Sequence, residues 1–255
     1  MIRSWGLLPD SEPRAARPLG WFRSSDAVDL PASLDRRDLI DDIRDQAWTS
    51  ACAAFALSRA IELHGKLRYS RTFEPPSEIH LYQGARASDG DQPLVSDNGT
   101  SFGAIADAVH TVGYIPAHLA PWDPNKINER LDWGVFASGI DQHSISTHPI
   151  ATTGKQRCVE IVSSLVRGCG VYLALQATQS LCDLRAGLPW DGAGEVMGGH
   201  AVCALDYDAN NLRCIGSWGP NYCDEGLFLV PWRLVEQGIS VKTPWAIECA
   251  PNYSL

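Results

Sequence analysis

No run of apolar residues in this 255-residue chain approaches the ~20 needed to span a bilayer, so no membrane partner is expected. Residues 1 to 29 lack the continuous apolar core of a secretory signal, and Pro9, Pro13, Pro18 and Gly20 interrupt them. The expectation is an irregular N-terminal extension, with Trp5, Leu7 and Leu8 available for docking and a cytoplasmic location unless a specialised secretion system exports the protein. There is no long basic run, and the net charge of -9 argues against nucleic acid and anionic membranes as main partners. Cysteine is missing between Cys52 and Cys158, which excludes short disulfides in the first half of the chain. No Cys-x-x-Cys or paired Cys/His spacing supports zinc, so neither a metal nor a cofactor is expected. The eight cysteines read as free thiols, with Cys203 and Cys214 buried in apolar strand patterns. There is no internal repeat and no low-complexity tract.

What is present suits a packed core, with 45% hydrophobic and 9% aromatic residues. Two stretches carry chemistry. In Asp45-Gln46-Ala47-Trp48-Thr49-Ser50-Ala51-Cys52 a glutamine precedes a cysteine that opens an apolar-periodic helix. A thiol at the first turn of a helix meets unpaired N–H groups and the positive end of the helix dipole, both of which favour thiolate. The amide of Gln46, beside the Cys52 N–H, would supply two donors to an oxyanion formed when the thiolate attacks a carbonyl. Taken alone, Cys52 is equally a small buried residue at a helix start. Downstream, Gly198-Gly199-His200-Ala201-Val202 places a histidine at the start of an expected strand, at a cleft edge where imidazole can take a proton from the thiol.

Gln46 six residues before Cys52, Gly-Gly-His-Ala-Val before Asp206-Tyr207-Asp208, and Ser217-Trp218-Gly219 before Gly226-Leu227-Phe228 together resemble the papain-like cysteine peptidases, in a bacterial form with a short extension. Leu30-Pro31-Ala32-Ser33-Leu34-Asp35 resembles the start of the mature domain, so the resemblance implies an extension at 1–29 and a peptidase domain at 30–255. It implies an α+β fold of two lobes: a helical lobe at about 45–125 and an antiparallel β sheet or barrel lobe at about 140–250, with the active-site cleft between them. It further implies Cys52 as nucleophile, His200 as general base and acid, Gln46 as oxyanion donor, Gly99 in the loop that binds substrate backbone, and Trp218 as a shield beside the histidine. Gly216 stands where the family carries the asparagine that orients the histidine. Ser217, a backbone carbonyl or a water are alternatives for that role. Thr49, Ser50 and Ala53 also depart from the family's motif around the cysteine.

Apolar residues Ala53, Ala56, Leu57, Ala60 and Ile61 predict a helix from Thr49 to His64 with Arg59 and Glu62 facing outward and His64 as a cation near its end. Further helices are expected over Ser77 to Ala85, Phe102 to Val112 and Gln156 to Val166, and an irregular crossing over 121 to 154. Five strands are expected: Gly170 to Leu175, His200 to Tyr207, Leu212 to Ser217, Gly226 to Val230 and Thr243 to Glu248. His80, His110, His118, His143 and His148 have no partner in the motif and read as surface or core residues. The function implied is hydrolysis of peptide bonds in a peptide or protein substrate. The alternatives are acyl transfer or deamidation by the same Cys-His chemistry, and a catalytically impaired fold of this type used for binding.

Overall fold

The computed structural model describes residues 5–9, 30–90, 96–140, 143–242 and 244–251. Of the N-terminal extension only 5–9 are described, so the proline-broken remainder lies outside the described residues. The helices are α1 (Cys52–Arg68), α2 (Glu78–Ser88), α3 (Phe102–Val112), α4 (Trp133–Ala137), α5 (Gly154–Val166), α6 (Gln179–Cys182) and α7 (Trp232–Gln237). The strands are β1 (His143–Pro149), β2 (Gly170–Thr178), β3 (Val196–Tyr207), β4 (Asn211–Ile215), β5 (Leu227–Pro231) and β6 (Trp245–Pro251). They form one antiparallel sheet in the order β1-β6-β2-β3-β4-β5. Three long helices thus precede the sheet, the α+β arrangement expected. No helix among the described residues is long and apolar enough to cross a membrane.

Local chemistry sets the helix starts. Ser77 and Ser101 accept N–H hydrogen bonds from His80 and Ala104, capping α2 and α3 at their first turns. Gly113, at φ 64°, closes α3 in a conformation that costs glycine little. α1 has no side-chain cap and no acidic residue in its first turn, so its positive end is uncompensated where Cys52 begins it.

Three expectations need correction. The crossing at 121–154 is not wholly irregular: α4 and β1 lie in it, and β1 pairs with β6 along its full length. Its composition offers little strand signal because its pairing comes from residues a hundred positions away. β3 begins at Val196, so His200 sits inside the strand, and Gly198 and Gly199 are paired with Ala177 and Gln176. Arg59, Glu62 and His64 do not face solvent; each is less than 5% exposed. α1 is enclosed on all sides, and its polar stripe is covered by residues 39–44 and α2 rather than by water.

That polar stripe is held by a buried ionic network. Glu62 accepts from Arg44 (2.5 Å), Arg59 (2.8 Å) and Lys66 (2.7 Å). Arg44 also reaches Glu78 (2.9 Å) and Asp42 (3.0 Å), and Lys66 reaches Asp41 (2.6 Å). His64 meets the Gly168 carbonyl through Nδ1 at 2.7 Å, which makes it a tether between α1 and the turn before β2. Charges removed from water are tolerated only with such pairing, and deleting one partner strands the others. Glu62→Gln should therefore cost about 3 kcal/mol of folding stability. Arg37→Ala, at an ion pair with Asp35 more than half exposed, should leave stability almost unchanged. Urea denaturation of both variants checks the contrast, and equal losses would refute it.

Candidate active site

The Gln46 side chain is held at both ends. Its Oε1 accepts from Ser217 Oγ (2.5 Å), and its Nε2 donates to the Thr49 carbonyl (2.6 Å). The backbone around it is stitched to the segment after β4: Gln46 N–H donates to the Ser217 carbonyl (2.8 Å) and Gly219 N–H to the Arg44 carbonyl (3.1 Å). Asp45 and Trp218 face each other in this antiparallel pairing. Ala47, at φ 57°, holds the sharp turn that follows, with Asp45 Oδ1 accepting from its N–H at 2.7 Å. A left-handed alanine is uncommon, and it sits between the two residues whose spacing defines the site. Ser217, weighed above as a partner for the histidine, has its hydroxyl committed to Gln46.

Cys52 is the first residue of α1 and is fully buried. Its sulfur is hydrogen-bonded by the backbone N–H groups of Ala201 and Gly6. The Ala201 contact sets the thiol against β3 next to His200. Burial pushes the Cys52 thiol up to about 11, outweighing those N–H groups, which favour thiolate. Helix position favours thiolate, as expected from the sequence, but in this covered state burial outweighs it. Trp218 stacks on the His200 ring at 4.2 Å and 17°. A Cβ at Gly216 would lie 4.0 Å from His200 Nε2 and 3.6 Å from the Phe228 ring, in ordinary contact with both. The position facing the outer imidazole nitrogen thus has room for a side chain and carries none.

What covers the site is the chain's own N-terminal segment. Trp5 meets the edges of His200 (6.1 Å) and Trp218 (5.4 Å). Gly6 passes over Cys52, and its carbonyl accepts from Thr100 N–H (2.9 Å). Leu7 N–H donates to the Gly199 carbonyl (3.2 Å) and Leu8 N–H to the Thr100 carbonyl (3.0 Å), a parallel pairing of Leu7 with Thr100. Two glycines permit this approach. A Cβ on Gly99, at φ 84°, would fall 2.0 Å from the Gly6 carbonyl oxygen, and one on Gly199 2.3 Å from that of Leu7. Leu7, Leu8 and Pro9 line an apolar pocket of about 470 Å³ together with Phe102, Ala174 and Trp245. Sequence reading flagged Trp5, Leu7 and Leu8 for docking but missed Gly6. A glycine between two large apolar residues, able to press its backbone against another, was the available signal.

The five residues named from the sequence therefore fall around one cleft: Gln46 and Cys52 at the start of α1, His200 on β3, Trp218 after β4, and Gly99 before α3. None of the seven cysteines whose side chains are described is in a disulfide. No family model matches the chain. It is 22% identical to an uncharacterized peptidase C1-like protein of Acanthamoeba polyphaga mimivirus, over 97% of this chain and 79% of that one. Xylellain, a cysteine protease from Xylella fastidiosa, superposes with a TM-score of 0.77 at 20% identity over 96% of this chain and 95% of that one. Digestive procathepsin L 3 of Tenebrio molitor gives 0.70 at 18% identity, over 91% and 74%. The bromelain protease of Ananas comosus gives 0.61 at 16% identity, over 87% and 98%. The fold is that of the papain-like cysteine proteases.

If the segment at 5–9 controls the thiol, loosening it must change reactivity. The full-length Trp5→Ala/Leu7→Ala variant should alkylate at Cys52 with iodoacetamide at least about tenfold faster at pH 7, with the midpoint of its pH dependence moved down from near 11 toward the ordinary thiol range. Mass spectrometry of the labelled peptide decides it, and identical rates and midpoints in both chains would dismiss the segment as a cover.

Proposed function

We propose that the protein is a cysteine peptidase held in a self-blocked state by its N-terminal segment. The observation that carries this reading is the meeting, at the start of α1, of a doubly anchored glutamine amide, a helix-terminal cysteine and a histidine stacked on a tryptophan. The papain-like neighbours and the peptidase C1-like relative support it, and they favour it over a binding module.

In this reading the His200 imidazole takes the Cys52 proton and the sulfur attacks the peptide carbonyl carbon. A carbon–sulfur bond forms and the carbonyl electron pair moves to oxygen, where Gln46 Nε2–H and the Cys52 N–H hold the negative charge. The intermediate collapses, the carbon–nitrogen bond breaks, and the amine leaves with the proton from His200. Water then adds to the thioester carbonyl, giving its proton to His200, and the sulfur departs to leave a carboxylic acid. Trp218 keeps water off one face of the imidazole, which strengthens polar contacts beneath it.

The proton donor stands on the leaving-group side, so the amine half of a substrate emerges beside His200 and Trp218. The acyl half then lies along Thr100 and Gly199. The resident segment runs the other way, with Trp5 beside Trp218 and Leu7 beside Thr100. It offers Cys52 the N–H of Gly6 rather than a carbonyl carbon, so it occupies the cleft without being a substrate. In full-length Trp5→Ala/Leu7→Ala, a thiol-directed peptidyl epoxide should attach to Cys52 alone, and peptide turnover should vanish on further Cys52→Ala substitution. Labelling spread over the cysteines, or turnover that survives loss of Cys52, would sink the assignment.

Gly216 brings no side chain to His200 in this scheme, and an asparagine there would add a group that holds the imidazole aimed at the sulfur. Gly216→Asn in the same loosened chain should raise kcat about tenfold, roughly 1.4 kcal/mol and the size of one modest hydrogen bond. Unchanged kcat in a normally folded variant would mean that another group already orients His200.

A further inference from the structure

Beside Trp218, which stacks on His200, is an open pocket of about 980 Å³. Its walls include Trp48, Trp218, Trp5 and Tyr222, and its rim carries Asp45 and Asp183. Trp48 is 62% exposed, an indole held in water on the very loop that carries Gln46. Among the described residues, no lysine, arginine or histidine lines the pocket. Arg44, which adjoins Asp45 in sequence, is engaged in the buried network with Glu62 and Glu78.

From this we infer that the pocket takes the guanidinium or ammonium side chain of an arginine or lysine lying one or two residues after the cut bond. The inference rests on the peptidase reading and names part of its substrate. Aromatic faces attract cations through their quadrupoles, and the wall offers several of them. The two carboxylates add charge of the matching sign. Each already makes one bond that fixes it: Asp45 Oδ1 accepts from Ala47 N–H (2.7 Å), and Asp183 Oδ2 accepts from Gln179 Nε2 (2.8 Å). A carboxylate has about four lone-pair positions, so neither is exhausted by that bond. The volume accommodates the long stem of either basic side chain, whose methylenes would lie on indole. An acidic side chain, or the terminal carboxylate of a substrate ending there, would meet two like charges and no cation. Trp5 is one wall of this pocket, which is open in the blocked state as well.

The test uses the full-length Trp5→Ala/Leu7→Ala chain and quenched fluorescent peptides identical on the acyl side. The first and second residues after the cut are varied among arginine, lysine, glutamine, leucine and glutamate, and the cut is located by mass spectrometry. Arginine and lysine peptides should show kcat/KM about tenfold above glutamine and leucine, with glutamate lowest. The advantage should shrink in 0.5 M salt, because partly exposed charges are screened over a Debye length of a few ångström. Asp183→Asn and Trp48→Ala should each move the arginine-to-leucine ratio toward unity. Equal rates for all five residues, a preference for leucine, or variants that leave the ratio intact would overturn the inference while the peptidase reading stands. If no peptide is cut and no peptidyl epoxide attaches to Cys52, both fall together.

Discussion

The contact of the first turn of α1 with the middle of β3 is the constraint from which the site follows. Ala201 N–H reaches the Cys52 sulfur across that junction, and small residues make it possible: Ala51, Ala53 and Ala54 are fully buried on the helix side and Ala201 nearly so on the strand. A bulky residue at any of these positions would hold the helix end away from the strand, and the cysteine away from the histidine beside Ala201. The backbone pairing of residues 44–46 with 217–219 then brings the glutamine and the tryptophan to the same place.

The buried network behind α1 bears on this geometry through one residue. Arg44 joins Glu62 on α1 and Glu78 on α2 by its side chain, while its carbonyl accepts from Gly219 in the pairing that positions Trp218. Core charge and site geometry are thus linked through a single loop. Replacing such a network with apolar residues can be neutral for stability. Its value here is orientation, because the guanidinium fork has several fixed partners at once and the loop it belongs to has few other buried side chains.

A thiol needs partial exposure to act, and in this structure the segment Trp5 to Pro9 lies over Cys52. Gly6, Leu7 and Leu8 satisfy hydrogen bonds of Thr100 and Gly199. The same backbone groups serve a resident strand and, in the proposed reaction, a substrate. Direction separates the two, since a peptide running backward brings an N–H to the sulfur.

Much of the local structure was legible in the sequence. The span of α3 was readable to the residue, because Ser101 and Gly113 mark its ends and its apolar period is regular. Gln46, Cys52, His200 and Trp218 were named together from the sequence through the resemblance to the papain-like peptidases, and the fold brings them near one another. Arg59 and Glu62 were misread because periodicity reports which residues are polar, not whether other parts of the chain cover them. β1 was missed because a strand's pairing energy comes from a partner distant in sequence. The state of the Cys52 thiol was beyond the sequence for the same reason: helix position favours thiolate, but burial beneath Gly6 decides the balance, and only the tertiary structure brings residue 6 to residue 52.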